Sequence, residues 1–267
     1  MPCSSVSEPE SASDQKRTTP FVSLLHGWAM HSRAWGYLRA QLADDFRVLP
    51  LDLPGHGQNG APAPKTLKEM ADHIAPLLPE RAVVVGWSLG AQVALRLALD
   101  RTERVAALVL IGATPRFRQT DGWPNGMPAT QFEAFAAQFV ADPAATIHRF
   151  VALASLGSAV PKAVAQQLLK LLSERPGAGV AALEAGLGVL RNTDLRADSV
   201  AVAVPAWIIH GEGDAIVPIA AGRWLAETIP GAQFVPVAAT GHVPFLTHIN
   251  AITRTIREAA FGRRQQP

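Results

Sequence analysis

Cysteine is nearly absent from this chain of 267 residues, in which Cys3 is the single example. One thiol cannot form an internal disulfide or a thiolate cluster around a metal, so we expect a protein of a reducing compartment, the cytoplasm. No run of eighteen apolar residues occurs, which argues against a membrane-spanning helix. The formal net charge is only +2, and no basic run carries interleaved aromatic residues, so nucleic-acid binding is not expected.

The first twenty residues differ in composition from the rest of the chain. The stretch MPCSSVSEPESASDQKRTTP is rich in Ser, Pro and Glu, and it lacks the apolar segment that a signal peptide needs. We therefore predict a disordered polar leader over residues 1–20.

Strand-like and helix-like segments alternate from Phe21 onward, with FVSLL, RVLPLDL and RVAALVLIG as the clearest strands. This alternation is typical of an α/β fold whose mostly parallel, doubly wound sheet carries helices on both faces. Between residues 114 and 200 it stops, and helix-like stretches such as TQFEAFAAQFV and AVAQQLLKLL follow one another. We predict a core over residues 21–113 and 201–262 and a helical lid over residues 114–200, with a separate helical domain as the alternative.

The stretch AVVVGWSLGAQVALRLAL, which begins at Ala82, joins a buried strand to a helix. Ser88 stands at the junction, between Gly86 and Gly90. Any side chain at either glycine would collide with the neighbouring strand or helix. A turn this sharp strains the residue at its apex. The pattern is the nucleophile elbow of α/β-hydrolases, and it predicts Ser88 as the nucleophile of that fold. A tight turn with an exposed serine is the alternative.

A serine hydroxyl attacks an ester only when a base removes its proton, and a carboxylate must hold that base. Both groups should come from loops at the carboxyl edge of the sheet. His242 follows the strand QFVPV and is the predicted base, and Asp214 follows the strand AWIIHG and is the predicted acid. The order Ser, Asp, His matches that of α/β-hydrolases. Asp194 and His248 are the rival acid and base.

The tetrahedral intermediate of such a reaction carries a negative oxygen that two backbone N–H groups must hold. Leu89, the residue after the nucleophile, is predicted to supply one. Trp28, in the turn LLHGWAM after the first strand, is predicted to supply the other and to wall the substrate pocket with its indole. His26 is interpreted as a structural hydrogen-bond partner of that turn.

The residue at the elbow also decides the reaction class. Haloalkane dehalogenases and epoxide hydrolases resemble this fold but carry Asp at the elbow, whereas this chain has Ser88. No group of His and Asp residues has the spacing of metal ligands. We predict acyl transfer to water that needs no metal and no cofactor.

Several longer motifs carry a more specific resemblance. LLHGW, LDLPGHG and GWSLG are common among hydrolases, whereas PRFRQTDGWPNGM, HRFVALASLG and GLGVLRNTDLR lie in and around the predicted lid. With these motifs the chain, from Phe21 to Phe261, resembles the pimeloyl-[acyl-carrier protein] methyl ester esterases of biotin synthesis.

This resemblance implies a carboxylesterase that hydrolyses the methyl ester of a carrier-bound pimeloyl chain, releases methanol, and works as a monomer. Besides Ser88, Leu89, Trp28 and His242, the implied substrate-binding residues form one run in the lid. They are Phe150, Val151, Ala152, Leu153 and Ala154. The carrier protein is acidic, so the implied docking residues are basic: Arg149, Arg116, Arg118 and Lys162.

Two other interpretations remain open at this point. A broad-specificity short-chain carboxylesterase or lactonase would use the same three catalytic residues. A hydrolase-fold protein that binds a ligand without turning it over belongs to a different class, and failure of a fluorophosphonate to label Ser88 would favour it.

Overall fold

The computed structural model describes residues 19–174 and 178–262, so residues 1–18 of the predicted leader lie outside the described part of the chain. Six strands in the described part form one sheet in the order β2-β1-β3-β4-β5-β6, and every neighbouring pair is parallel. The strands are β1 (Phe21–Leu25), β2 (Arg47–Leu51), β3 (Ala82–Trp87), β4 (Val105–Ile111), β5 (Ala206–Gly211) and β6 (Gln233–Val237).

The two middle strands, β3 and β4, are apolar along their whole length, as a sheet covered on both faces requires. In β3 every residue is buried, including the three consecutive valines Val83–Val85. The edge strands β2 and β6 are only partly buried. Gly86 of β3 pairs with Leu25 of β1 and Leu110 of β4, so the elbow at Ser88 emerges from the middle of the sheet.

Two helix layers cover the sheet. The helices that accompany the strands are α1 (Gly36–Leu42), α2 (Leu67–Ile74), α3 (Leu89–Asp100), α8 (Ile219–Thr228), α9 (Pro244–Thr247) and α10 (Ile249–Phe261). The helix α3 packs against β3 and β4 and also contacts α2. The helix α10 packs against the same two strands and contacts α1. The prediction of a parallel α/β sheet flanked by helices is therefore confirmed. None of the helices in residues 19–174 and 178–262 combines the length and apolarity needed to cross a bilayer.

Among the described residues, four α-helices lie between β4 and β5, within the region predicted as a lid. They are α4 (Ala129–Ala141), α5 (Pro143–Ser155), α6 (Pro161–Glu174) and α7 (Val180–Asn192), and we call them the four-helix segment. Asp142 begins α5 as its N-cap, because its side chain accepts a hydrogen bond from the Ala145 N–H at 2.9 Å. Before α4, the loop from Arg118 to Met127 holds isolated bridges instead of a strand.

Candidate active site

Ser88 stands at the apex of a strained turn. Its backbone has φ 55° and ψ −116°, a region that non-glycine residues rarely adopt. A Cβ atom on Gly86 would collide with the backbone of Gly90 and Ala91, and one on Gly90 would collide with the Leu25 carbonyl. The two glycines therefore let β3 and α3 meet closely enough to hold Ser88 in this conformation. Strain maintained at an apex serine is the observation that makes it a candidate nucleophile.

His242 and Asp214 form a buried pair. The Nδ1 atom of His242 lies 2.7 Å from Oδ2 of Asp214, and both side chains are fully buried. The other carboxylate oxygen accepts hydrogen bonds from the N–H groups of Ile216 and Val217, each at 2.9 Å. Since Nδ1–H donates to the carboxylate, Nε2 of His242 keeps its lone pair. Nε2 is buried and finds no hydrogen-bond partner within the described part of the chain, so it is free to accept a proton.

The end of β4 connects this pair to the elbow. The Ser88 N–H donates to the Ile111 carbonyl at 2.9 Å, and the next residue, Gly112, has φ +55°. A Cβ atom on Gly112 would lie 3.0 Å from the His242 ring. Trp87, next to Ser88, donates its indole N–H to the His242 carbonyl at 2.8 Å. Ser88 and His242 thus lie against adjacent residues at the end of β4, Ile111 and Gly112 respectively. No hydrogen bond joins their side chains, as is common in free enzymes.

The environment of Asp214 keeps it ionised. Burial alone would raise the pKa of its carboxyl group, but the charge that His242 carries when protonated, the nearby His210 N–H and the hydrogen bond from His242 outweigh burial. Together they lower the pKa well below its usual range. An anion at this position fixes the tautomer of His242 and stabilises the imidazolium that forms when the base takes a proton.

The rival acid and base lie elsewhere. Asp194 pairs with Arg116 and Arg196, and hydrogen bonds from Arg196 above all lower its pKa to about 2. His248 lies between α9 and α10, where its Nδ1 is 2.9 Å from the Thr247 hydroxyl. The structure brings Asp214, and not Asp194, to His242.

The two predicted oxyanion donors flank the elbow. Leu89 is the first residue of α3, so its N–H has no acceptor within the helix. Gly27, next to Trp28, packs against Ser88, because a Cβ atom on Gly27 would lie 3.2 Å from the Ser88 Cβ. In the part of the chain that the structure describes, no acceptor is found for the N–H of Trp28 or Leu89. Both donors therefore remain available, and the oxyanion hole stays a prediction.

His26 holds the turn that carries Trp28. Its Nδ1 lies 2.9 Å from the Gly27 carbonyl, which can only accept, so Nδ1 carries the proton. Its Nε2 accepts a hydrogen bond from the Leu53 N–H at 3.0 Å. Burial first, and then the charge of His56, lowers the pKa of His26 to about 3. The interpretation of His26 as a structural partner of the turn agrees with these bonds.

This arrangement predicts a loss of stability in weak acid. Folded His26 stays neutral down to a pH of about 3, whereas the unfolded chain binds the proton below 6.5. The contribution of neutral His26 to the free energy of unfolding is therefore fully present above pH 6.5. Below pH 6.5 it falls by about 1.4 kcal/mol per pH unit. We expect the urea unfolding free energy to be about 2 kcal/mol lower near pH 5 than near pH 7. His26→Asn should flatten this dependence, and an equal slope in variant and wild type would contradict the assignment.

Ser88 opens onto a small apolar cavity of about 30 Å³. The four-helix segment contributes Phe132, Phe135, Phe150, Leu153, Leu187 and Leu190 to its wall. The core contributes Trp28 and Ile216, and the stretch between β4 and α4 contributes Phe117 and Met127. The indole N–H of Trp28 donates to the Leu183 carbonyl at 2.9 Å, so only its ring faces the cavity. The hydroxyl of Ser88 is then the polar group of an otherwise apolar wall.

Helix geometry places the five predicted substrate-binding residues of α5 on different faces of that helix. Phe150 and Leu153 are three residues apart on α5 and line the cavity, whereas Val151, Ala152 and Ala154 are not among its lining residues. Residues three or four apart share a helix face, so five consecutive residues cannot all face one cavity. Ala152 is exposed. The remaining lining residues of the four-helix segment were not predicted, although the spacing of Phe132 and Phe135 in TQFEAFAAQF already indicates an apolar helix face.

The end of α5 is bonded to the loop that carries the predicted base. The His242 N–H donates to the Ala154 carbonyl at 3.2 Å, and the Ala159 N–H donates to the Ala239 carbonyl at 2.9 Å. Ala154 thus contributes its carbonyl to the His242 loop. The turn between α5 and α6 is therefore part of the framework that holds the base in place.

Gly157 in this turn is expected to be essential for that framework. Its φ is +79°, and a Cβ atom there would collide with the Gly213 backbone, next to Asp214. Gly157→Ala should lower the unfolding free energy by about 2 kcal/mol or more and lower kcat, because the acid loop must shift. Gly122→Ala is the matched control, since Gly122 has φ +71° and open space around it. Equal kcat losses in the two variants, measured beside urea unfolding curves, would contradict this role.

The predicted docking residues differ in their surroundings. Arg116 is half-buried and paired with Asp194, and Arg118 donates to Glu133 at 2.9 Å. Arg149 is exposed and donates to the Gln138 side chain at 2.7 Å. Lys162 is exposed in the first turn of α6. The structure thus leaves Arg149 and Lys162 more accessible than the other two, and docking by any of the four stays a prediction.

Comparisons with known proteins agree with this geometry. Residues 20–249 match the family model for the alpha/beta hydrolase fold. The pimeloyl-[acyl-carrier protein] methyl ester esterase of Aromatoleum aromaticum is 43% identical over 234 residues, which cover 86% of this chain and 93% of that protein. The protein of the same name from Nitrosomonas europaea is 40% identical over 228 residues, covering 85% and 90%. The solved structure of an esterase from Exiguobacterium antarcticum has a TM-score of 0.81 at 26% identity, covering 89% of this chain and 90% of that one.

The fold and these relatives define a serine ester hydrolase built on the α/β hydrolase fold. The chain belongs to the alpha/beta hydrolase fold family and, within it, to the pimeloyl-[acyl-carrier protein] methyl ester esterases. The resemblance predicted from the lid motifs is confirmed.

Proposed function

We propose that this protein hydrolyses the methyl ester of a pimeloyl chain carried on acyl-carrier protein, in biotin synthesis. The products are pimeloyl-[acyl-carrier protein] with a free carboxylate, and methanol. The observation that carries the proposal is the cavity at Ser88, whose walls are apolar apart from the serine hydroxyl. Such a cavity suits an uncharged acyl chain that ends in a methyl ester and disfavours the carboxylate of the product. The names of the curated relatives supply the carrier and the chain.

The proposed reaction uses the chain's own residues in two half-reactions. Ser88 Oγ attacks the ester carbonyl while Nε2 of His242 takes its proton, and the N–H groups of Trp28 and Leu89 hold the resulting oxyanion. Collapse of this intermediate breaks the bond to the methoxy oxygen, which leaves as methanol with the proton from His242. Water then hydrolyses the acyl-enzyme by the same route and restores Ser88. Asp214 stays ionised throughout, and no cofactor takes part.

Selectivity for the methyl ester over the carrier thioester requires positioning, because both bonds can be attacked. A chain threaded methyl ester first would leave its thioester outside the cavity. A cavity of about 30 Å³ holds roughly one water molecule, so the chain must displace part of the wall. We propose that the region 114–200 acts as the lid that moves. The bonds from α5 to the His242 loop, and the bond from Trp28 to Leu183 of α7, restrict that motion to other parts of the lid, such as α4.

We propose that Arg149 and Lys162 attract the acidic carrier. Arg149→Glu combined with Lys162→Glu should raise KM for the carrier-bound ester about tenfold and leave KM for a short free ester unchanged. The reason is that exposed charges on a docking surface change the rate at which the two proteins associate. The effect should shrink as salt is added. The control with the same change in net charge is Arg254→Glu combined with Lys65→Glu, at two exposed cations outside the four-helix segment. An equal rise in KM in the control would contradict docking at this surface.

The experiment that tests the substrate is a comparison of kcat/KM for methyl-pimeloyl carrier protein and for methyl butyrate. The proposal predicts a preference of at least about a hundredfold for the carrier-bound ester, since the apolar wall and the carrier surface contribute only there. Equal values would overturn the substrate assignment in favour of a broad short-chain esterase. Activity on lactones alone would favour a lactonase.

We further propose that the enzyme works as a cytoplasmic monomer. The site draws its serine, histidine, aspartate and cavity walls from one chain. A single cysteine suits a reducing compartment. Sedimentation equilibrium at assay concentration should give the mass of one chain, 28.3 kDa. A dimer mass would contradict the proposal.

A further inference from the structure

A second histidine approaches the carboxylate of Asp214. His210 lies in β5, and its side chain is fully buried. Its Nε2 is 2.9 Å from the Val217 carbonyl oxygen and 3.4 Å from Oδ2 of Asp214. A carbonyl and a carboxylate can only accept hydrogen bonds, so Nε2 of His210 must carry a proton.

The other nitrogen of His210 fixes the tautomer. Nδ1 is buried and has no hydrogen-bond partner among residues 19–174 and 178–262. It faces Gly222 of α8, where a Cβ atom would collide with it. A ring with protons on both nitrogens would bury a charged donor without an acceptor, which is costly. The ring therefore carries its proton on Nε2, and Gly222 provides the space that keeps Nε2 between the Val217 carbonyl and Asp214.

We infer that His210 is a positioning residue for the predicted catalytic acid. The Asp214 carboxylate accepts hydrogen bonds from the N–H groups of Ile216 and Val217 at Oδ1 and from His242 at Oδ2. The Nε2–H of His210 donates to the Val217 carbonyl and lies 3.4 Å from Oδ2, so its positive end also faces that oxygen. This arrangement fixes which oxygen His242 meets. It also draws charge from that oxygen, so the carboxylate holds the His242 imidazolium less tightly and the proton can pass to the leaving methanol. The inference rests on the catalytic role proposed for Asp214.

A test of this role must separate the effects of the different titratable groups that face Asp214 on the pH dependence of the reaction. His210 faces it from β5 and His242 from the loop after β6. From α8, the residue against His210 is Gly222, which does not titrate. A change in the pH dependence of the reaction after substitution of His210 therefore reports on its contact with Asp214.

The test compares His210→Phe with His210→Gln on a p-nitrophenyl ester. His210→Phe should lower kcat about tenfold with KM unchanged. The acidic limb of its kcat/KM profile should move to higher pH by about half a unit, because Asp214 then holds the imidazolium more tightly. His210→Gln restores a donor and should return the limb close to that of wild type. His248→Gln is the matched control, at a histidine outside the site.

An acidic limb that coincides in His210→Phe and wild type would overturn the inference, even if kcat falls. If neither variant folds, ¹⁵N spectra of histidine-labelled wild type at the assay pH decide: the proton of His210 must be on Nε2. A proton on Nδ1 would overturn the inference. The p-nitrophenyl ester reports on the catalytic groups alone, so failure of the carrier substrate is a separate outcome.

Discussion

Ser88→Ala is expected to lower kcat/KM by a factor on the order of 10⁶ while leaving the fold intact. Alanine removes the hydroxyl that would become the acyl-enzyme oxygen, and no other group at the cavity wall can replace it. The remaining oxyanion donors and the cavity can give only residual catalysis by water. The measurement is steady-state hydrolysis together with labelling by a fluorophosphonate, which should be lost in the variant.

Ser155→Ala is the matched control for this substitution. Ser155 is a buried serine of α5 whose hydroxyl donates to the Val151 carbonyl at 2.7 Å, within the helix. Activity and labelling should stay within about twofold of wild type, because this hydroxyl plays no part in the reaction. Wild-type activity in Ser88→Ala, or labelling that persists there, would refute the nucleophile assignment.

Asp214→Asn is expected to lower kcat by about 10⁴ with little change in KM. The side-chain amide of this variant can donate to Nδ1 of His242, which favours the tautomer whose Nε2 already carries a proton and cannot take the one from Ser88. The loss should shrink at high pH if hydroxide replaces the base. Steady-state rates measured across pH check both parts.

Asp194→Asn separates this assignment from its rival. Asp194 is a partly exposed partner of Arg116 and Arg196, so its loss should affect stability slightly and activity within about twofold. The reverse result, with activity lost in Asp194→Asn and kept in Asp214→Asn, would show that the wrong carboxylate has been paired with His242.

The sheet and the elbow could be predicted because their signals are local. Three consecutive valines before Ser88 and helix formers after Gly90 determine a buried strand, a turn and a helix within one short stretch. The proximity of Asp214 and His242 could be predicted because parallel strands end at one edge of the sheet, which brings the loops after β5 and β6 together. The structure adds their distance and burial.

The cavity and its framework could not be predicted, because they depend on how distant segments pack. Trp28 donates to Leu183, 155 positions away, and Gly157 meets Gly213 across an interface that neither local sequence indicates. The helical pattern of α5 does not tell which of its faces meets Ser88. The contact of His210 with the acid likewise requires the loop after β5 to fold back on the strand.

Mass spectrometry of methyl-pimeloyl carrier protein after incubation with the enzyme is the sharpest test of the proposed activity. We expect loss of one methyl group, with the thioester to the carrier intact, in wild type and not in Ser88→Ala. Release of the whole acyl chain from the carrier, or loss of the methyl group at the same rate with Ser88→Ala, would contradict the proposal.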